Sequence, residues 1–452
     1  MTSAPQVSEN PVPEPPEITA AGRYIVLAAA FLGWMGAGME MSPIPARPAA
    51  VHFLASEAGF GENPASETAK RAVDEKVVGF WAAWYNGAFL LGAAIGGLIF
   101  GSIGDRFGRA KAMGLSILCY SFFAGVAYSS RGPEELTAWR FLTGFGVGGM
   151  WPTGVALASE AWAGRNRGLV SGIIGTAANV GLSLMSLVCG AKLAFNEGAT
   201  VLQVGYVVGP EDWRWVMLVG ASPFLVGVFV LLFVPESPAW LRKRHVVEAA
   251  PSIRLSAVFR RPHLKSTLMG IVLGTVPLFG GWGCINWVVT WSDKLGPPGL
   301  NANAQFMRSF GAVFGSLAGG WLAAQFGRRT TYFVTCLLSF LISGYIFWAL
   351  KPTDEAFLWW VFAIGVIATT AFGWLPLCLP ELFPTEVRAA GSGVSFNFGR
   401  ILTAVGVLGS GFLMGTLQGD YALVGRFTHW IFVVGMIAIL FAPDTSKRRM
   451  DE

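Results

Sequence analysis

The sequence predicts an all-α integral membrane protein of twelve transmembrane helices, arranged as two six-helix halves. Three observations carry that expectation. Hydrophobic residues make up 53% of the 452 and charged residues 13%, about half the charged share of a soluble globular domain. The charges gather between apolar runs of roughly 20 residues, the length a helix needs to cross a bilayer, and the runs do not alternate as barrel strands would. The chain also repeats itself. SEAWAGRNRGLVSG (159–172) and PELFPTEVRAAGSG (380–393) place Glu160, Arg167 and Ser171-Gly172 in the same frame as Glu381, Arg388 and Ser392-Gly393, at an offset of 221. An offset near half the chain length means two copies of one unit.

Residues 1–22 are rich in Pro and Glu, with no basic region before an apolar core, and read as a disordered cytoplasmic tail. Twelve spans follow near 24–44, 78–100, 110–129, 136–158, 168–190, 214–234, 267–291, 306–324, 331–350, 357–379, 390–414 and 425–442. The N-terminal half is 23–234, with 45–77 as an external loop. Residues 235–266 form a cytoplasmic linker, 267–442 the C-terminal half, and 443–452 a cytoplasmic tail. Basic residues fall in every second loop: Arg106, Arg109 and Lys111; Arg165 and Arg167; the linker; Arg328 and Arg329; Arg388; and Lys447 to Arg449. That bias puts both termini inside.

The same distribution accounts for the net charge of +5 and excludes a nucleic-acid partner. All five cysteines lie in or at the ends of spans without metal-ligand spacing. No nucleophile–base or metal constellation is present, so an enzyme is not expected, and neither is a cofactor beyond a coupling proton. The absence of an Asn-x-Ser/Thr sequon favours a bacterial inner membrane. A monomer is expected.

Loop 101–113, GSIGDRFGRAKAM, resembles the Gly-x-x-x-Asp-Arg-x-Gly-Arg motif of the major facilitator superfamily through Gly101, Asp105, Arg106, Gly108 and Arg109. Its second copy, GGWLAAQFGRRTTYF (319–333), keeps Gly327 and Arg328 but has Ala324 at the acid position. Arg140 followed by GFGVGG (144–149) resembles the pattern of proton-coupled members. PESPAWL (235–241) and APDTSKR (442–448) look like motifs shared by sugar porters, organic-ion carriers and carboxylate symporters. PELFPTEVRAAGSGVSFNFGR (380–400) resembles the sialate/carboxylate and aromatic-acid:proton symporter families. The resemblance implies the major facilitator fold and proton-coupled symport of a small organic anion: a carboxylate, aromatic acid or acidic sugar. An organic-ion, sugar or polyol uniporter, or a transporter-derived sensor, stays open as the alternative. Two departures bear on the substrate. GGWGCIN (280–286) lacks the Gln-Gln of sugar porters, and Ala37-Gly38-Met39-Glu40 keeps one acid where acid symporters often carry two.

Arg400 is the foremost candidate for substrate binding. It lies twelve residues beyond Arg388, about 18 Å along a helix. A cation at that depth needs a cavity or a partner, and a guanidinium fork matches a carboxylate. The alternative is a structural arginine held by helix carbonyls. Asn179 sits at the matching place in the first half, and Asn397 one turn before Arg400; all three are expected to share a central cavity. Asn286, Trp287, Trp374 and Trp151 are further cavity candidates. Glu40 and Arg140 fall at similar depth in the outer half, and Glu40 is the candidate proton carrier with Arg140 as its counter-ion; a static ion pair is the alternative. By resemblance, Asp105, Arg106, Arg109, Glu160, Arg167, Glu381 and Arg388 form a cytoplasmic gating network.

Overall fold

The computed structural model describes residues 18–42, 50, 54, 67–162, 167–193, 202–203, 212–238, 240–241, 258–384, 387–443 and 445. Within these, twelve helical passages run in order: α1 Ala20–Met41, α2 Glu67–Phe107, α3 Arg109–Ala127, α4 Pro133–Ala161, α5 Arg167–Val188, α6 Trp213–Phe233, α7 Leu264–Leu295, α8 Leu300–Phe326, α9 Arg328–Ala349, α10 Phe357–Glu381, α11 Arg388–Thr416 and α12 Tyr421–Phe441. A two-residue antiparallel pair, Lys192–Leu193 with Leu202–Gln203, is the described β-structure. The N-terminal tail to residue 17, most of loop 45–66, linker residues 242–257, Asp444 and the residues from 446 on lie outside the described set.

Nine of these passages are long and apolar enough to cross a membrane. The other three are α4, α5 and α8, whose interiors are rich in glycine and in buried Ser, Thr, Asn and Gln. A helix wrapped by other helices can be less apolar than one facing lipid on every side. The largest departures from expectation are at helix starts. The α2 helix begins at Glu67 rather than 78, within the stretch 45–77 expected as an external loop, because the charged run from Glu67 to Lys76 dilutes its hydropathy. The α8 helix begins at Leu300 rather than 306, after a left-handed Gly299, because Asn301, Asn303 and Gln305 do the same.

Close helix pairing rests on glycines spaced by four. A Cβ on Gly92 or Gly96 of α2 would strike the carbonyls of Phe141 or Phe145 in α4. A Cβ on Gly144 or Gly148 of α4 would strike those of Phe89 or Ala93 in α2. The second half repeats the device. Gly311, Gly315 and Gly319 of α8 face the carbonyls of Phe362, Val366 and Thr370 in α10. The glycine motif after Arg140 is therefore a packing surface.

Two seams join the halves. Along α2 and α11, Gly79 faces Met414, Gly87 faces Leu408 and Gly97 faces Asn397. Along α5 and α8, Ser183 Oγ bonds Ser309 Oγ at 2.9 Å. At the end away from the basic loops, one apolar cluster draws Val78, Tyr85, Met185, Trp213, Ala302 and Phe306 from both halves. Toward the basic loops the α2–α11 seam parts: a Cβ on Gly101 or Gly393, one turn beyond the Gly97–Asn397 contact on each helix, would meet nothing within 4 Å, whereas along α5 and α8 one on Gly172 would still lie 3.5 Å from Leu317.

Candidate functional site

Arg400 sits where the α2–α11 seam ends, and is 6% exposed. Its Nη1 donates to the Ala93 carbonyl of the opposite half at 3.1 Å and to Asn397 Oδ1 at 3.4 Å. The guanidinium also lies over the Phe396 ring, 4.7 Å from its centroid. Among the described residues no carboxylate is within ion-pair distance of it. Asn179 is the counterpart at the other seam: Nδ2 lies 3.4 Å from both the Ala312 carbonyl and Ser316 Oγ of α8. The repeat thus places both side chains at equivalent inter-half seams.

Glu40 and Arg140 meet, with Arg140 Nη1 3.7 Å from Glu40 Oε2. Both are buried, and Glu40 Oε1 has no hydrogen-bond partner. Beneath Arg140, Phe89 lies 4.6 Å from the guanidinium and stacks at 5.8 Å on Trp282 of the other half. The proton-carrier candidate is therefore joined through two aromatic rings to α7, which there winds as a π-helix, Gly280–Ile285. Sequence reading missed this link, since a ring contact between halves leaves no local signal.

Asn286 follows that π-turn, and its Oδ1 accepts from Arg308 Nη1 of α8. Arg308 Nη2 donates to Gln305 Oε1 at 2.9 Å. Arg308 and Gln305 were absent from the sequence candidates because span 306–324 put the arginine at a membrane edge. With the helix starting at Leu300, it lies eight residues in, about 12 Å. Of the tryptophans, Trp287 is buried beside Tyr421 with Nε1 unpartnered. Trp374 donates Nε1 to the Arg328 carbonyl at 2.8 Å and packs on Tyr332. Trp151 packs on Trp34.

The basic-loop charges form one cluster in each half. Arg109 Nη1 bonds Asp105 at 2.5 Å, and Nη2 is 3.7 Å from Glu160. Glu160 also accepts from Ser237 Oγ. Glu236 accepts the backbone N–H of Arg109 at 2.7 Å and of Ala110 at 3.1 Å, capping the start of α3 where the helix dipole favours an anion. Trp240 Nε1 donates to the Asp105 carbonyl at 2.8 Å. These contacts give the 235–241 motif a physical role that its sequence did not disclose. In the second half Glu381, 4% exposed, accepts from Arg328 at 3.0 and 3.2 Å and from Thr445 Oγ1 at 2.5 Å. Arg106 is exposed, over Phe107. Arg388 Nε approaches the Phe383 carbonyl at 3.5 Å. Arg167 begins α5, with its side chain outside the described set.

Two seamed helical halves with charged groups buried within them are the architecture of a multi-pass helical membrane protein. The family model of the Major Facilitator Superfamily matches residues 25–407, and the chain belongs to that superfamily of membrane transporters. It is 28% identical over 358 residues to a "Probable 4-methylmuconolactone transporter" of Cupriavidus pinatubonensis, covering 79% of this chain and 80% of that one. It is 25% identical over 369 residues to a "Cis,cis-muconate transport protein" of Acinetobacter baylyi, covering 79% and 84%. The partially occluded, inward-open structure of the xylose transporter XylE from E. coli superposes with a TM-score of 0.66 at 18% identity, covering 95% of this chain and all of that one. At that identity the likeness concerns the fold.

Proposed function

We propose that the protein is a proton-coupled symporter of a small organic anion that works by alternating access of its two halves. The observation that carries this reading is Arg400: a buried cation, with no acid partner among the described residues, at the point where a seam between halves opens. A guanidinium so placed is matched by a carboxylate. The names of the muconate and methylmuconolactone relatives support an organic-acid substrate. Glu40, with Arg140 as its counter-ion, is the coupling group, since a buried carboxylate with one oxygen unpartnered can take up a proton. The two basic-loop clusters act as gates that rearrange as the halves rock. Basic loops face the cytoplasm of a bacterial cell, and each chain holds its own pathway.

The test is uptake into proteoliposomes of cis,cis-muconate, benzoate and 3-phenylpropionate, with and without an inward proton gradient. Gradient-driven accumulation of at least one is expected. Equal uptake in both conditions would mean uniport, and binding without uptake would mean a sensor; either result rejects the symport reading.

A further inference from the structure

We propose that Arg308, with the side-chain amides of Gln305 and Asn286, forms a second carboxylate-binding subsite, between α7 and α8 and separate from Arg400. The proposal deepens the organic-anion reading and rests on it.

Arg308 lies about 12 Å from the start of its helix, and its two hydrogen-bond acceptors, Asn286 Oδ1 and Gln305 Oε1, are neutral. Arg140 and Arg328 have Glu40 and Glu381; among the described residues Arg308 has no such counter-ion. A cation inside a membrane protein without one is costly and faces a partner or a water-filled path.

The amide geometry then fixes the sign of what is missing. Each amide turns its oxygen to the guanidinium, because the flipped form would set N–H against N–H. Both NH2 groups therefore point away from Arg308. Asn286 Nδ2 and Gln305 Nε2 are buried and have no partner, although the residues themselves are 5% and 0% exposed. An arginine and two orphaned amide donors make a constellation with donors to spare and no free acceptor. The ligand that satisfies it accepts only and carries negative charge, which describes a carboxylate.

Access is present. Arg308 is partly exposed, whereas its amide partners Asn286 and Gln305 are buried. The N–H of Asn286 reaches the Gly281 carbonyl across the π-turn, so Gly281 lies one π-turn below it. A Cβ added there would meet nothing within 4 Å.

The experiment is ligand binding to the purified full-length protein by calorimetry and thermal shift. The probes are cis,cis-muconate and benzoate, each against its neutral amide. The wild type is expected to bind a carboxylate and to discriminate against its amide. Arg308→Gln should weaken that carboxylate on the order of tenfold to a hundredfold, the range of a lost charge-assisted hydrogen bond. Gln305→Glu should weaken it as much and also raise the melting temperature without ligand, because the side chain then supplies the counter-ion itself. A purely structural glutamine would give the rise, since position 305 touches Arg308 with or without ligand, but no loss of carboxylate affinity. If the wild type binds a carboxylate and both variants bind it within about twofold, the subsite is refuted while the anion reading stands. If the wild type binds none of the probes, both fall.

Discussion

Replacing Arg400 by alanine separates a structural arginine from a binding one. The change deletes the charge-assisted hydrogen bond to the Ala93 carbonyl at 3.1 Å, worth about 1.5–3 kcal/mol. It also deletes the cation–π contact with Phe396, worth about 0.5–2 kcal/mol. Against this loss of about 2–5 kcal/mol stands relief from holding a cation near mid-depth, about 2.5–3.5 kcal/mol on insertion scales. The two nearly cancel. The melting temperature should shift by only a few degrees, while carboxylate affinity falls tenfold or more and gradient-driven uptake is lost. The assays are thermal unfolding in detergent, calorimetry and proteoliposome uptake on one preparation. Near-normal affinity for a transported carboxylate in Arg400→Ala would refute the reasoning. So would a collapse in stability, because it would show that the seam bond outweighs the burial cost.

Three further perturbations follow from the same geometry. Glu40→Gln should keep the fold and substrate exchange but abolish accumulation driven by a proton gradient; counterflow set against gradient-driven uptake reads the difference. Gly148→Ala drives a methyl into the Ala93 carbonyl and should cost about 1–3 kcal/mol by overpacking, while Gly101→Ala, in open space, should be near neutral in the same melt. Glu236→Ala removes the cap on α3 and should cost about 0.5–2 kcal/mol, with faster hydrogen exchange at Arg109 and Ala110 as its local signature.

What could be read from the sequence followed from contrast with an apolar background. Arg400, Glu40 and Arg140 stand out because charges are rare in the spans, and the offset of 221 located Asn179. The meeting of Glu40 with Arg140 was within reach because their depths could be counted from helix ends. Arg308 was hidden by the opposite effect: polar residues in the first turns of α8 lowered its hydropathy and shortened the expected span. Contacts through space left no trace. Neither the pairing of Glu381 with Arg328, the cap that Glu236 places on a helix far away in sequence, nor the Phe89–Trp282 stack between halves has a periodic or local signature. The motif after Arg140 was recognisable as a pattern, but its use in packing depends on Gly92 and Gly96, residues of another helix.

At both seams the polar side chain of one half is bonded to backbone carbonyls of the other, Ala93 for Arg400 and Ala312 for Asn179. A carbonyl cannot be removed by substitution. A saturation scan should therefore be lopsided across the α2–α11 seam, sharply selective for chemistry at position 400 and indifferent to it at 93, and more even across α5–α8, where Asn179 also meets Ser316 Oγ and Ser183 meets Ser309. At position 93 the limit should be volume alone, because Gly148 packs against that same carbonyl. The α2 face can then drift among small residues without loss of the Arg400 bond, leaving specificity at that seam to be written on α11.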